Sequence, residues 1–222
     1  MANPPAARSV RRESRIFPAF VVLSLPVILA MLPSRFQLVP RGVPFVLAAV
    51  LAIPMLAAGF LSAPEFWTRV ERYAAWIVLP LTTIIQLVLL GLLVQDMAQP
   101  HADLSGLTLL STAVAIWATN ILIFALAYWQ MDRGGPLGRM RGWQGRADFT
   151  FARGDPCDGV PDDWQPIFAD YLALAFNTST AFSPTDTLPL TPRAKMMLMV
   201  QSLISLVAVV AVGARAINIL GS

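Results

Sequence analysis

Long apolar runs decide what this chain can fold into. Five stretches approach the roughly 20 residues that a helix needs to cross the hydrocarbon core of a bilayer. The fourth and third are free of ionisable side chains, whereas Pro26 interrupts the first, which is the weakest of the five. The sequence therefore predicts an all-α, polytopic membrane protein with about five transmembrane helices, at about Phe17–Leu32, Val43–Leu61, Tyr73–Val94, Leu107–Tyr128 and Met196–Ile217.

Composition indicates the same environment. Of 222 residues, 56 % are hydrophobic and 13 % are charged, whereas about 25 % of the residues of a soluble domain are charged. The first apolar run follows a basic segment but lacks a small-x-small cleavage pattern, so we expect it to be retained as a helix and not removed as a signal peptide. These features predict the lipid bilayer as a partner and a single membrane domain at 17–222, preceded by a basic, disordered tail at 1–16.

Several classes of function lack the residues they need. Cys157 is the only cysteine and His101 the only histidine, so neither an internal disulfide nor a zinc site is expected. There is no GxSxG, HExxH or phosphate-binding glycine loop, and no pair of carboxylates within one span. The net charge of +3 belongs to loops and tails. We therefore expect no enzyme activity, no cofactor, no metal and no nucleic-acid partner.

Basic residues indicate an orientation. Lys and Arg collect in cytoplasmic loops close to helix ends, and the N-terminal tail contains four arginines. This pattern predicts a cytoplasmic N-terminus. Following the spans in alternation places the long connecting loop at 131–166 inside as well, where Arg133, Arg139 and Arg141 follow the fourth span. The sequence of this loop is typical of a solvated connector; its acidic second half is alternatively a vestibule that concentrates cations.

The stretch before the last span is short and then polar. The sequence from Ile167 to Phe176 predicts a helix too short to cross a bilayer. Asp162 or Asp163 is positioned to cap it, and Asp170 lies in its first turn, where a carboxylate interacts favourably with the positive end of the helix dipole. The hydroxyl-rich sequence FNTSTAFSPTDTLPLT follows. Its two prolines disfavour helix at the residues before them. Non-helical backbone at membrane depth must be buried in protein or line a water-filled cavity. This turn is therefore expected either at the membrane surface or lining a water-filled cavity.

This order of elements resembles the pore module of two-helix potassium channels: a short pore-type helix, a T-x-T element, an aspartate, Pro-x-Thr and a basic residue opening a long inner helix. The resemblance implies a candidate pore-like module at 106–222, with the fourth span as outer helix. The matching positions are Thr178 and Thr180 at the end of the pore helix, Asp186 after the filter, Pro189, Thr191 and Lys195 before the inner helix, and Ser205 near its hinge.

The centre of the module departs from that family. Potassium channels carry T-V-G-Y-G, whose glycines let successive carbonyl groups face the axis. This chain has Ala181, Phe182, Ser183, Pro184 and Thr185 at those positions. Selective potassium conduction is therefore not implied.

The turn and the ALAYWQMDRGGP sequence that ends the fourth span also resemble a group of uncharacterised bacterial inner-membrane proteins with a similar S-x-T-D turn before the last helix. This resemblance implies a multi-pass protein of the bacterial inner (cytoplasmic) membrane and implies no activity.

Two functions follow from these patterns. The first is a homo-oligomeric, pore-loop-like ion channel with a weakly cation-preferring pathway. Gln201, Ser202 and Ser205 share one face of the last helix, which suits either a pore lining or a helix-helix seam. The second is a non-conducting membrane scaffold or accessory subunit, in which the hairpin is a packed corner whose polar groups are satisfied within one subunit. The pathway candidates are Thr178, Thr180, Ser183, Thr185 and Asp186.

Other polar residues leave alternatives open. Asp186 either attracts cations or pins the turn through local hydrogen bonds, and Arg193 is a candidate partner for it. The mid-span residues Gln86 and Asn120 are expected to hydrogen-bond between helices. Potassium channels present their filter to the outside, whereas the arginines here place the hairpin inside. Either the orientation is reversed, or the first segment is not a span, or the module is inverted as in pore loops of the glutamate-receptor type.

Overall fold

The computed structural model describes residues 14–61, 64–98, 106–151, 164–184 and 186–220. Helices account for most of these residues, and two short strands lie between them. The helices are α1 (Ile16–Ala30), α2 (Gly42–Phe60), α3 (Pro64–Ala98), α4 (Gly106–Met131), α5 (Gly135–Met140), α6 (Phe168–Thr180) and α7 (Pro192–Leu220); the strands are β1 (Phe149–Phe151) and β2 (Thr187–Pro189).

The predicted mainly helical, multi-pass membrane protein is confirmed. Within the described residues, four helical stretches are long and apolar enough to cross a membrane: Gly42–Phe60, Glu65–Met97, Gly106–Met140 and Pro192–Ala214. The first predicted span is represented by α1, which has only 15 residues. At 1.5 Å per residue it rises about 22 Å, less than the roughly 30 Å of a hydrocarbon core. The predicted number of five spans therefore stays a prediction.

Helix α4 is the centre of the bundle. It packs against α1, α3, α6 and α7, and 61 % of its most apolar window is buried, compared with 33–39 % for the other three candidate spans. Tyr128 and Trp129 at its end are fully buried. In contrast, α7 exposes a continuous apolar face that includes Met199, Leu203 and Val210. Such a face suits lipid or another protein chain.

Helix ends with basic residues meet at one end of the bundle. Arg15 at the start of α1 contacts Glu71 near the start of α3, and Gln130 near the end of α4 donates to the same carboxylate at 2.6 Å. We call this the basic end. The other end holds Arg35 and Arg41 among the described residues. The basic end holds Arg15, Arg69, Arg72, Arg133, Arg139, Arg141, Arg146, Arg193 and Lys195.

The segment expected as a connecting loop, 131–166, is ordered structure where it is described. A turn with three consecutive residues of positive φ, Arg133 to Gly135, reverses the chain directly after α4. At Gly135 a Cβ atom would lie 2.5 Å from the carbonyl oxygen of Gln130, so only glycine fits. The segment then forms α5 and β1.

Two three-residue strands accompany the helices and leave the mainly helical fold class unchanged. β1 and β2 pair in antiparallel register, with Phe149 opposite Pro189 and Phe151 opposite Thr187. The Phe-Thr-Phe sequence of β1 and Thr187 in β2 are aromatic and β-branched residues, which favour strands. The pairing closes the base of the polar hairpin that precedes α7.

Candidate functional site

The half-length helix α6 begins at the basic end. Its first turn is closed by Asp170, whose Oδ2 accepts a hydrogen bond from the Ile167 backbone N–H at 2.7 Å. Phe168 packs edge-on against Trp129 at the end of α4, with 5.8 Å between the ring centroids. Asp162 and Asp163, the predicted caps, lie outside the described residues. The start of α6 is thus fixed by its own aspartate and by α4.

The far end of α6 reaches about halfway along its neighbours. The Ser179 and Ser205 hydroxyl oxygens are 2.9 Å apart. Ser205 follows Pro192, the first residue of α7, by 13 positions, a rise of about 20 Å. Phe176 contacts Trp117 in the middle of α4, with centroids 6.3 Å apart. The chain then turns back, and β2 returns to the basic end, so that 168–189 is a hairpin that enters and leaves on one side.

A buried polar network joins α4, α6 and α7. Gln201 accepts a hydrogen bond from the Tyr128 hydroxyl at 2.5 Å and donates to the Ala175 carbonyl at 2.8 Å and the Ser179 hydroxyl at 2.9 Å. The Asn120 amide donates to the Ser205 hydroxyl at 2.7 Å. We call this set the Gln201 network; its members, all fully buried, are Asn120, Tyr128, Ser179, Gln201 and Ser205.

The Gln201 network shows the structural role of two of the three polar residues that share one face of the last helix. Gln201 and Ser205 face α4 and α6 of their own chain, so they form a helix-helix seam. Ser202, the third member of the stripe, is half-buried beside the network and is not part of it. The helical spacing of these three residues alone fitted a pore lining and a helix-helix seam equally well.

A second cluster, which we call the aspartate anchor, holds the base of the hairpin. Asp148 is fully buried. Its two carboxylate oxygens accept from Nε and Nη2 of Arg193, each at 2.6 Å, and Oδ1 also accepts from the Thr191 hydroxyl at 2.5 Å. Its backbone carbonyl accepts from the Leu190 N–H at 2.8 Å. The predicted pairing of Arg193 with Asp186 is therefore wrong, because Asp148 holds this guanidinium.

Asp132 completes the anchor from the end of α4. Its Oδ1 accepts from the backbone N–H groups of Asp148 at 2.8 Å and Phe149 at 3.3 Å. Its Oδ2 accepts from the Tyr171 hydroxyl of α6 at 2.7 Å. The sequence reading missed both aspartates because it treated their segment as a solvated loop. The clearest available signal was the YWQMDRGG run, in which polar and aromatic residues continue an apolar helix without a break.

Three charged or polar side chains tie α1, α3 and α4 together at the basic end. Glu71 is fully buried between Arg15 and Gln130. The Arg15 guanidinium also lies 5.7 Å from the Trp129 ring centroid, a favourable cation-π distance. The end of the tail predicted to be disordered is thus held at Arg15, while residues 1–13 lie outside the described residues.

The predicted pathway residues fall into different environments. Thr178 is buried, and its hydroxyl donates to the Leu174 carbonyl within α6 at 2.7 Å. Thr180 is exposed and donates to the Phe176 carbonyl at 2.9 Å. Ser183 and Asp186 are exposed. Thr185 lies outside the described residues.

The hairpin tip comprises residues 181–186. Phe182 adopts a left-handed backbone conformation with φ of 53°, and the Thr187 N–H donates to the Pro184 carbonyl at 3.2 Å. Both observations agree with the predicted loss of helix in this stretch. The tip is thus a turn whose described residues, apart from Pro184, are exposed on the surface of the single chain.

The two mid-span predictions are confirmed. Gln86 in α3 donates to the Ile116 carbonyl of α4 at 2.8 Å, and Asn120 reaches α7 within the Gln201 network. The side-chain carbonyl oxygen of each of these two amides has no hydrogen-bond partner among the described residues.

No metal centre is formed by the part of the chain that the structure describes, since it contains no group of three or more His, Cys, Asp or Glu side chains close enough to hold an ion. Cys157 and His101 lie outside it. Arg141 lies outside the candidate spans, and the pKa of its guanidinium is raised, mainly by the hydrogen bond that it donates to the Glu65 carboxylate at 2.9 Å.

No family model, no curated protein and no solved structure matches this chain. The resemblances to potassium-channel pore modules and to bacterial inner-membrane proteins therefore rest on the sequence motifs alone.

Proposed function

We propose that this integral membrane protein is a pore-loop-like ion channel or a channel-derived protein, in which the hairpins of several copies surround a common axis. One observation carries the proposal: the hairpin tip is non-helical and exposed, yet the helix before it ends about halfway along α4 and α7.

That depth makes the tip incompatible with lipid. Backbone N–H and C=O groups outside a helix find no partners in hydrocarbon, and each unsatisfied group costs several kcal/mol. Ala181, Phe182 and Ser183 are exposed in the single chain. A homo-oligomer with hairpins around a wet axis supplies both protein neighbours and water. The exposed apolar face of α7 offers contact area for the adjacent copies.

The chemistry of the tip favours cations. Exposed Thr180 and Ser183 offer hydroxyl oxygens, and Asp186 offers a carboxylate. The C-terminal end of α6 carries the negative pole of the helix dipole to the same depth. In this proposal Thr178 supports the hairpin from inside the protein, and Thr185 stays a candidate for the pathway. Without filter glycines, the expected selectivity among cations is weak.

The basic end is proposed to face the cytoplasm of a bacterial cell. Lys and Arg at four helix ends gather there, and cytoplasmic ends of membrane proteins are enriched in these residues. The hairpin would then enter the membrane from the cytoplasmic side, which is inverted relative to potassium channels, and the N-terminus would be cytoplasmic.

The Gln201 network favours a second candidate, a non-conducting scaffold or accessory subunit. Its buried hydroxyl and amide groups are paired within one chain, with only the Asn120 carbonyl oxygen lacking a partner among the described residues, so no conducting axis is needed to explain them. The tip would in that case be covered by another membrane protein.

Ion flux separates the candidates. Purified protein in liposomes should pass monovalent cations in preference to chloride, and Asp186→Asn should reduce that flux several-fold. Glu65→Gln is the matched control, since it removes an exposed carboxylate far from the tip. A folded, oligomeric protein without flux over a range of salts and voltages would exclude the channel and leave the scaffold.

Oligomeric state and orientation complete the test. Native mass measurement should find several copies; a strict monomer in a bilayer mimetic contradicts a shared axis. An impermeant thiol reagent should label Cys157, the only cysteine, after lysis and not on intact cells. Labelling of intact cells would reverse the proposed orientation.

A further inference from the structure

A polar cavity of about 170 Å³ lies at the basic end, away from the hairpin tip. It is more than ten times larger than the roughly 15 Å³ that one water requires. Its walls come from the turn after α4, from α5 and the residues that follow it, and from one residue shortly before α6. The lining residues are Arg133, Arg139, Gly142, Trp143, Gln144 and Gln165.

Arg133 brings unused hydrogen-bond donors to this cavity. Its side chain is 24 % exposed, and its Nε lies 3.7 Å from Asp132 Oδ2, too far for a hydrogen bond. Among the described residues, Arg133 donates no hydrogen bond, although a guanidinium has five N–H donors. Its backbone is left-handed, with φ of 52° and ψ of 35°. Such a conformation is costly for a residue with a side chain and is often found at functional sites.

Arg139 supplies a second, immobilised positive charge. Its Nη1 donates to the Trp129 carbonyl at 3.0 Å and the Asp132 carbonyl at 2.9 Å. Its guanidinium also lies 5.7 Å from the Tyr171 ring centroid. These contacts fix the side chain between α4, α5 and α6.

The nearby Asp132 carboxylate accepts its hydrogen bonds from groups other than Arg133. Asp132 is fully buried, and its oxygens accept hydrogen bonds from Asp148, Phe149 and Tyr171. The Arg133 guanidinium, whose Nε lies 3.7 Å from Asp132 Oδ2, therefore keeps its N–H donors for a ligand in the cavity.

We infer that this cavity binds a phosphate group, either of an anionic phospholipid headgroup or of a free phosphate anion. Guanidinium groups match phosphate oxygens through parallel N–H bonds. Trp143, which is 42 % exposed beside the cavity, suits the headgroup layer of a bilayer. Basic pockets between helices at the cytoplasmic side bind lipid headgroups in this way. The inference concerns the basic end alone and does not depend on ion conduction.

Lipid retention tests the site with the full-length chain. In native mass spectrometry from detergent, the protein should retain phosphatidylglycerol at least five-fold more than phosphatidylcholine. Arg133→Gly should abolish that preference. Glycine adopts left-handed conformations without strain, so this variant removes the guanidinium without threatening the fold, and Arg133→Lys should keep part of the preference. The matched control, Arg141→Gln, removes an exposed arginine of the same segment that pairs with Glu65.

Inorganic phosphate distinguishes the two sources. If lipid is the ligand, phosphate should compete only weakly, and the lipid preference should vanish in Arg133→Gly alone. If the ligand is a free anion, phosphate should raise the thermal transition of wild type and not of Arg133→Gly, without any lipid preference. Binding of neither probe by wild type, or equal loss in Arg133→Gly and Arg141→Gln, would overturn the inference.

Discussion

Asp148 lies at the base of the hairpin and Asp186 at its tip, and their surroundings are opposite. Asp148 is fully buried and accepts hydrogen bonds from Arg193 and Thr191. Asp186 is exposed at the tip, without an ion pair in the described residues. The polar groups that hold the base of the hairpin are thus paired within the chain. The exposed polar groups of the tip are the ones available to ions, water or another copy.

The largest expected effect is at the anchor. Asp148→Ala should lower the free energy of unfolding by about 3 kcal/mol or more, since breaking a buried ion pair typically costs 3–5 kcal/mol. Arg193 is half-exposed and can be rehydrated, which favours the lower part of this range. Denaturant unfolding in detergent, followed by tryptophan fluorescence, measures the change. A loss below about 1 kcal/mol would show that Asp148 is not the anchor.

The Gln201 network should come next. Gln201→Leu removes three hydrogen bonds and leaves the Tyr128 hydroxyl and the Ala175 carbonyl without this partner. Interhelical hydrogen bonds average about 0.6 kcal/mol each, so we expect a loss of about 2 kcal/mol in the same unfolding assay. Ser202→Ala, on the half-buried neighbour, should be close to neutral; an equal loss in both variants would contradict the assignment of the seam.

Tyr171→Phe should have a smaller effect. It deletes the hydroxyl that donates to Asp132 Oδ2 while keeping the ring that packs against Phe151 at 5.2 Å. Asp132 retains two backbone donors on its other oxygen, so a loss of about 1 to 2 kcal/mol is expected. Thermal unfolding in detergent checks this value, and a neutral result would mean that water replaces the hydroxyl.

The smallest effect on stability should be at the tip. Asp186→Ala removes an exposed carboxylate, and surface substitutions usually change stability by less than about 0.5 kcal/mol. Comparing its unfolding curve with that of Asp148→Ala tests the contrast directly. Similar losses in the two variants would mean that the tip is also part of the anchor.

Sequence patterns predicted the helices better than the contacts between them. Hydropathy located α2, α4 and α7 to within a few residues, because apolar length is a local property. It shortened α3, whose polar first turns contain Arg69 and Glu71, since Glu71 is stabilised by Arg15, 56 positions earlier. The strands were missed because three residues carry too little local preference to reveal a partner so far along the chain.

The site was predicted in part for the same reason. Proline and hydroxyl chemistry identified the half-length helix and the turn, which are local features. The partner of Arg193 could not be inferred, because Asp148 lies 45 positions away in a segment that resembles a solvated loop. The stripe of Gln201, Ser202 and Ser205 could not be assigned to a seam without knowing where α6 packs.

The antiparallel pairing of β1 with β2 also sets how much chain is spare at the tip. Phe151 contacts the Tyr171 ring and pairs with Thr187, so the returning strand lies near the level of Tyr171. From Tyr171 to Thr180 the helix rises about 14 Å, whereas the chain from Thr180 to Thr187 spans about 24 Å when fully extended. The surplus lets the tip change sequence or accept an insertion while α6 and β2 stay in place, so the sequence of the tip can diverge without redesign of the fold.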